Sequence, residues 1–308
     1  MAKKYKFDLT VDASALLQAN PSEFYARLYG MDSAAGNFRV LAGIKNSTKI
    51  ASTVFGTLIQ AADCSFAPTD STVSAITVDV CPLSIQTSVC QYQLEQTWLA
   101  DQMAKGSNSD FTVASFMSYF WEQMASKAHE ELALIMWQGD TGGAGVLARC
   151  DGWLKRLCGL SPIRVANTTV ATSNVIAEIG SVIEAAPSEI MANPSKLKLF
   201  VSQNVATAYR IATASANTIN YTTEALGLRF LDIEIVPQYG LPADTIILTD
   251  PNNFIYALDA EGDVDSLQVV DFSKTTLDRT IGARADFKVG FYVTNDTQVV
   301  LYGDCVAS

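Results

Sequence analysis

The chain has 308 residues, 49% of them hydrophobic and 17% charged, and a net charge of −11. This is enough apolar material for a sizeable core, and the length predicts two domains. The negative balance argues against a broad nucleic-acid-gripping surface, because phosphate backbones are bound by clustered Lys and Arg. The opening MAKKYKFDLT is basic but leads into no apolar h-region, and no run reaches membrane-spanning length. The expected compartment is therefore a cytoplasm, with no membrane partner.

Residues 1–48 read as an extended arm. Tyr5, Phe7, Leu9 and Val11 alternate as in a strand, Ser22–Tyr29 forms a short helix starting near Pro21 or Ser22, and Asn37–Lys45 is extended or loop-like. The arm holds too few apolar residues to fold alone, so it must lie on something. From Ile50 to Ala104 there is no Lys or Arg, and Ser and Thr are dense. Two β-rich runs, Ser52–Ile59 and Val73–Val89, flank a Pro-containing turn region at Asp63–Asp70, which predicts a long hairpin. A lone hairpin is marginal in water, so it needs a neighbouring surface. Tyr92–Met103 predicts a short helix.

The chain is organised around Asp110–Gly139. Val113, Met117, Phe120/Trp121, Met124, Ala128, Leu132 and Ile135/Met136 recur every three or four residues, with Glu122, Ser126, Lys127 and Glu130 opposite. Asp110 is the expected N-cap and Gly139 the stop. At 1.5 Å per residue such a helix is a rod of roughly 40 Å. Gln138–Gly145 (QGDTGGAG) lacks the G-K-[ST] end of a phosphate-binding loop and reads as a tight turn. A short element around Trp153 and Leu157 follows.

Residues 166–266 read as a compact α/β module. Its helix Asn174–Ala186 is capped by Ser173, with Val175, Ile176, Ile179, Val182 and Ile183 inward. Then come strand Leu197–Ser202, helix Gln203–Ala214, strand Leu228–Pro237, central strand Thr245–Thr249, and a turn at Asp250–Asn253 leading into Phe254–Leu258. Asp259, Glu261, Asp263 and Asp265 invite a calcium reading, but Gly262 stands at the fourth loop position where an EF-hand needs it at the sixth, so a solvated acidic loop is expected. Thr280–Val293 and Gln298–Gly303 alternate like strands and predict a hairpin turning at Asn295–Asp296.

No residue set carries catalysis, a cofactor or a metal, so no site residue of those kinds is expected. His129 is the single histidine, lies inside the long helix, and reads as an ordinary helix residue without a G-x-S-x-G partner. The six cysteines (Cys64, Cys81, Cys90, Cys150, Cys158, Cys305) show no C-x-x-C and no metal-ligand spacing, and in a reducing compartment they are expected to be buried thiols.

The order of parts resembles the major capsid protein of tailed bacteriophages, the Hong Kong 97-type fold. Four stretches carry the resemblance. WQGDTGGAG (137–145) is similar to the turn after that family's spine helix. Asn174–Ala186, Leu197–Ser202 and Gln203–Arg210 are similar to the opening of its axial domain. LDIEIVP (231–237) with Leu241–Pro242 and Ile246–Thr249 is similar to the strands around its axial loop, and Arg284–Val293 with Val299–Gly303 to its final strands. The resemblance implies an α+β fold with an N-terminal arm (1–48), an extended hairpin loop (49–97), a peripheral domain (98–165 and 267–308) with its spine helix at 110–139, and an axial α/β domain (166–266).

It also implies a non-enzymatic shell subunit that assembles with itself into hexamers and pentamers in the host bacterial cytoplasm. The product would be the icosahedral head of the virion, enclosing double-stranded DNA without sequence-specific binding. The implied partners are a portal, decoration or auxiliary proteins and, because the arm starts at once from Met1, a separate scaffolding protein. Some members bond a hairpin lysine to a neighbour's asparagine. The stretch between Lys49 and Lys105 has no lysine, so neighbour contacts are expected to be noncovalent or aided by an auxiliary protein; disulfides through Cys64, Cys81 or Cys90 after lysis are a further option. The rival readings are an encapsulin-type nanocompartment shell, a soluble α/β enzyme, and a vertex or decoration protein.

Overall fold

The structure, a computed structural model, describes residues 25, 28–29, 37–55, 59, 71–90, 113–216, 228–259, 268–272 and 280–304. In chain order its strands and helices are β1 (Arg39–Leu41), β2 (Ser47–Phe55), β3 (Ser71–Asp79), β4 (Cys81–Cys90), α1 (Val113–Gln138), α2 (Trp153–Gly159), β5 (Ile163–Val165), α3 (Val175–Glu184), α4 (Ser188–Met191), β6 (Lys198–Ser202), α5 (Gln203–Ala216), β7 (Arg229–Phe230), β8 (Ile233–Gln238), β9 (Ile246–Thr249), β10 (Phe254–Leu258), β11 (Gln268–Asp271), β12 (Thr280–Val293) and β13 (Val300–Tyr302). The fold is mixed α and β, as expected. Helix α1 occupies nearly the whole predicted span; Asp110 lies outside the described residues. The expected strand at Tyr5–Val11 and helix at Tyr92–Met103 lie outside them too.

The chain forms two compact units. One comprises Asp32–Cys81, Glu130–Asp259 and Lys288–Ser308, the other Met1–Met31, Pro82–His129 and Ala260–Phe287. In the larger unit six strands make a sheet in the order β5-β13-β9-β6-β8-β7. Side chains alternate across a strand. Leu199 and Val201, Ile246 and Leu248, Ile233 and Ile235, and Val300 and Tyr302 accordingly share one core with α3 and α5. Helix α3 contributes Val175, Ile179, Val182 and Ile183, and α5 contributes Val205, Ala206 and Tyr209. Each such buried aliphatic side chain stabilises the fold by roughly 1.5–3 kcal/mol relative to exposure. Phe200 points the other way, into rings described below.

The same unit holds β1 parallel to β10, and β10 antiparallel to the last residues of β12 (Phe254↔Val293 through Leu258↔Val289). Strands β2 and β3 form a two-stranded ladder from Ser47↔Asp79 to Phe55↔Ser71. In the other unit β11 pairs antiparallel with the start of β12 (Gln268↔Arg284 through Asp271↔Ile281), and β4 also pairs with β12. Gly282 lets Phe272 lie against the β12 backbone, where a Cβ would collide with its ring. Tyr25, Leu28 and Tyr29 are helical and buried. Tyr29 meets the Phe287 ring edge-on at 6.1 Å, and the Tyr25 hydroxyl donates to the Asp286 carbonyl at 3.4 Å. At Tyr25 and Tyr29 the chain lies on β12.

Several expectations are corrected. Strands β12 and β13 are not a hairpin: β12 pairs with β10, β11 and β4, whereas β13 sits between β5 and β9. Alternation signals a strand but not its neighbour. Strand β10, expected with the α/β module, lies in the sheet of β1 and β12. The run Val73–Val89 breaks at Val80 into β3 and β4, which join different sheets. Leu228–Pro237 is two strands: Leu231 and Asp232 take φ of 46° and 65°, and Phe230 pairs with Ile233, a tight two-residue hairpin. Asn174, not Ser173, holds the N-cap position of α3, where its Oδ1 accepts from Ala171 N–H at 2.7 Å. Ile176 is 43% exposed and does not face the core. Lys49 lies inside β2, opposite Thr77, so the hairpin does carry one lysine near its base.

Candidate functional site: the helix terminus and the hairpin base

Helix α1 ends in a ring cluster. Leu132, Ile135 and Trp137 are buried. Trp137 lies 4.9 Å from Trp153, 5.5 Å from Phe254 and 5.9 Å from Phe200. Phe38 sits among them, 4.5 Å from Trp153 and 5.3 Å from Phe200. Most of these pairs are edge-on or tilted, the arrangement that ring quadrupoles favour. The cluster joins the arm, the end of α1, the start of α2, β6 and β10. The Trp153 indole N–H donates to the carbonyls of Ile255 and Tyr292, at 3.2 and 3.1 Å.

The turn after α1 is held by backbone approach and by two carboxylates. Gly139 N–H donates to Ile135 O at 2.9 Å, and Gly152 N–H to Gly139 O at 2.8 Å. A Cβ on Gly139 would meet the Cys150 carbonyl, and one on Gly152 would lie 2.5 Å from Ile135 O, so both positions need glycine for closeness rather than for φ. Asp140 is buried. Its Oδ1 accepts from Gly142 N–H at 2.9 Å and lies 3.1 Å from the Lys155 ammonium. The Gly142 hydrogen bond first, and the Lys155 partner second, hold the Asp140 carboxyl below the usual range. Asp151 Oδ1 accepts from the Thr141 N–H and hydroxyl, at 2.9 and 2.8 Å. The QGDTGGAG segment is thus a braced turn, followed by a single helical turn at Gly145–Arg149, and α1 rather than a strand precedes it.

The hairpin base is fastened beside this turn. Val78 and Val80 are buried with Ile44, Ile255, Ala257 and Tyr292. Val80 N–H donates to Asn46 O at 3.0 Å, and Asp79 N–H to the Tyr292 hydroxyl at 3.0 Å. Gly290 leaves room for the Asp79 carbonyl. The Arg156 guanidinium stacks 3.7 Å from the Tyr292 ring centroid. Cys81 is disulfide-bonded to Cys150, with Cα atoms 5.9 Å apart and a sequence separation of 69. Cys158 is disulfide-bonded as well, whereas Cys90 is free and half-buried. In this structure Cys81, Cys150 and Cys158 are thus bonded where buried thiols were expected. Connectivity across such a separation leaves no local trace in sequence.

His129 does more than fill a helix position: its Nδ1 lies 3.0 Å from the Leu28 carbonyl of the arm. Asp259 is not solvated. It is 3% exposed, its Oδ2 lies 3.4 Å from the Lys288 ammonium, and its N–H points to Lys288 O at 3.4 Å. Glu261, Asp263 and Asp265 lie outside the described residues. Among the described residues no group of three or more His, Cys, Asp or Glu is arranged to hold a metal ion, and no helix is long and apolar enough to cross a membrane.

A further element eluded sequence reasoning. Asn253 is buried where β9 leaves one sheet for β10 and where the chain after β12 returns to β13. Its Nδ2 donates to Asn295 O at 2.6 Å and to Thr249 Oγ1 at 3.2 Å, and its Oδ1 accepts from Asn295 N–H at 2.6 Å. The Asn253 carbonyl accepts from Thr294 N–H at 2.9 Å. One amide therefore binds the two crossovers together.

No family model matches the sequence, and no curated protein does. Solved structures do. A chain of the satellite phage P4 procapsid including its size determination (Sid) protein superposes with a TM-score of 0.63 at 10% identity, over 91% of this chain and 89% of that one. The capsid of an empty GTA particle gives 0.56 at 16% identity, over 88% and 95%. Mycobacterium phage Adephagia gives 0.58 at 12% identity, over 90% and 91%. The chain has the fold of these phage and GTA capsid structures over about nine-tenths of its length.

Proposed function

We propose that this chain is the major capsid protein of a tailed bacteriophage: a non-enzymatic subunit that assembles with itself, as hexamers and pentamers, into an icosahedral shell. The observation that carries the reading is the near whole-chain match to capsid structures. The site chemistry agrees, since the buried charges Asp140 and Asp259 each face a lysine, and Asp140 braces the turn after α1. The shell encloses double-stranded DNA, and a chain of net charge −11 suits a wall to which packaged DNA does not adhere. A separate scaffolding protein, a portal and auxiliary proteins complete the head, which forms in the host cytoplasm and ends in the virion. Within the subunit, the six-stranded module with α3 and α5 acts as the axial part, β2–β3 as the extended loop, and α1 as the spine. The matched structures favour this over an encapsulin-type compartment or a soluble enzyme.

The test is to express the chain with and without candidate scaffolding protein and to image the product by electron microscopy. Closed shells built of this polypeptide are the expected outcome. A stable 33.2 kDa monomer or dimer by light scattering under all these conditions refutes the reading.

A further inference from the structure

We propose that Cys81 and Cys150 are a redox-operated lock that is open while the shell assembles and closes after release from the host. The proposal rests on the shell reading above. A chain assembled in a host cytoplasm meets a thiol-reducing medium, where disulfides do not persist. The structure nevertheless brings these two cysteines to bonding distance, at a place where the bond has a mechanical consequence. Cys81 is the first residue after the β3–β4 break, at the hairpin base. Cys150 ends the braced turn after α1, two residues before the Gly152–Gly139 hydrogen bond. Both segments are positioned without the bond: the hairpin base by Val80 to Asn46 and by the Val78–Val80 cluster, the turn by Gly152 to Gly139 and by Asp140 with Lys155. A shell can therefore form with both thiols reduced, and oxidation fastens what is already in place.

The two cysteines differ in access in the way that stepwise exchange requires. Cys81 is half-buried and Cys150 fully buried. The oxidant is a low-molecular-weight disulfide, RSSR. The Cys81 thiolate attacks one of its sulfurs and releases RS⁻. The Cys150 thiolate then attacks the Cys81 sulfur of the mixed disulfide and releases the second RS⁻. Two protein thiols become one disulfide, RSSR becomes two RSH, and the two thiol protons go to the leaving thiolates. Cys90 is free and serves as an internal control.

The experiment uses assembled particles. Cells are opened directly into denaturant with iodoacetamide, and a second portion of particles is released, incubated with oxidised glutathione and then alkylated the same way. Both are reduced, labelled with N-ethylmaleimide and read by peptide mass. The expected result is iodoacetamide on Cys81, Cys150 and Cys90 in the trapped sample. In the released sample Cys81 and Cys150 carry maleimide and Cys90 still carries iodoacetamide. A Cys81–Cys150 disulfide already present in trapped particles, or free thiols at both after incubation, overturns the proposal. So does an equal gain in disassembly temperature on incubation for wild type and a Cys81→Ala/Cys150→Ala double variant; wild type is expected to gain several degrees more. If no particles form, the shell reading fails by itself, and the labelling pattern of the unassembled chain still reads the lock.

Discussion

Asn253 gives the sharpest test of how the two sheets of the larger unit are joined. Replacing it by Ala removes three side-chain hydrogen bonds, two of them at 2.6 Å. A typical bond contributes about 1 kcal/mol net, and a buried partner left unpaired costs about 1–3 kcal/mol. The Asn295 N–H and carbonyl both lose their partner in one step, so the expected loss is about 4 kcal/mol. At about 2.1 cal/mol/K per residue the unfolding entropy of this chain is about 650 cal/mol/K, which converts the loss to a Tm drop of about 6 °C. Asn252, next in sequence and exposed, bonds only locally to Asp250, and Asn252→Ala is expected to shift Tm by no more than about 1 °C. Differential scanning fluorimetry of the purified chains measures both. Equal, small shifts for the two variants would show that Asn253 does not bind the crossovers, and the joint would have to be sought in the ring cluster instead.

Three further outcomes follow from other sites. Met124→Pro removes a backbone donor and clashes one turn back inside α1, a cost of about 3 kcal/mol or more with a kink; shell formation is expected to fail by electron microscopy even where circular dichroism shows a folded chain, and normal shells would contradict the spine role. Asp140→Asn discards a carboxylate whose folded pKa is depressed by Gly142 and Lys155. A depressed carboxylate stabilises above its unfolded value near about 4 and loses that contribution as pH falls through the folded pKa; the Tm gap between wild type and variant is expected to be open at pH 7 and to close as pH is lowered below about 4, and a gap constant with pH would deny the assignment. The Tyr256 hydroxyl is fully buried with no hydrogen-bond partner among the described residues, so Tyr256→Phe is expected to hold or raise Tm by thermal denaturation, where a drop of several degrees would reveal a bond that the structure does not contain.

What the sequence disclosed follows a physical divide. Periodicity is local, so α1, α3, α5 and the strands β6, β9, β10 and β12 were legible from spacing alone. Partner choice is not local. Thr280–Val293 and Gln298–Gly303 alternate as hairpin strands would, and Asn295–Asp296 looks like their turn. The side chain bonded to the backbone of Asn295 between them is Asn253, more than forty residues away in sequence. The same holds for Cys81 with Cys150, His129 with Leu28, and Asp259 with Lys288: each is a long-range pair whose members look ordinary alone. Leu231 eluded prediction for another reason. At 69% exposure and φ 46° it occupies a turn position where Gly or Asn is the usual signal. The order of elements was the exception among global features, because it is written linearly, and it carried the capsid resemblance that the solved structures support at the level of fold.

The hairpin itself divides into a held base and a self-paired extension, and this predicts where assembly adds order. At the base, Val78 and Val80 are buried, Ile50 and Ile76 pack on the same cluster, and Cys81 is bonded to Cys150. Beyond that point the ladder runs from Ala51↔Ala75 to Phe55↔Ser71 as a sheet of two strands, with Ala51 and Ala75 exposed. Two strands alone are marginal in water. The distal amides are thus expected to exchange close to the free-peptide rate in the unassembled subunit and to be protected in shells, because a neighbouring copy supplies the missing surface. The basal amides at Val78 and Val80 are expected to be protected in both states, since local opening there must break buried contacts. Hydrogen–deuterium exchange with peptide mass readout, comparing unassembled chain with purified shells, gives the two profiles. Equal protection of Thr53 and Val73 in both states would mean that the extension folds unaided, and the hairpin would then lose its role as the element completed by a neighbour.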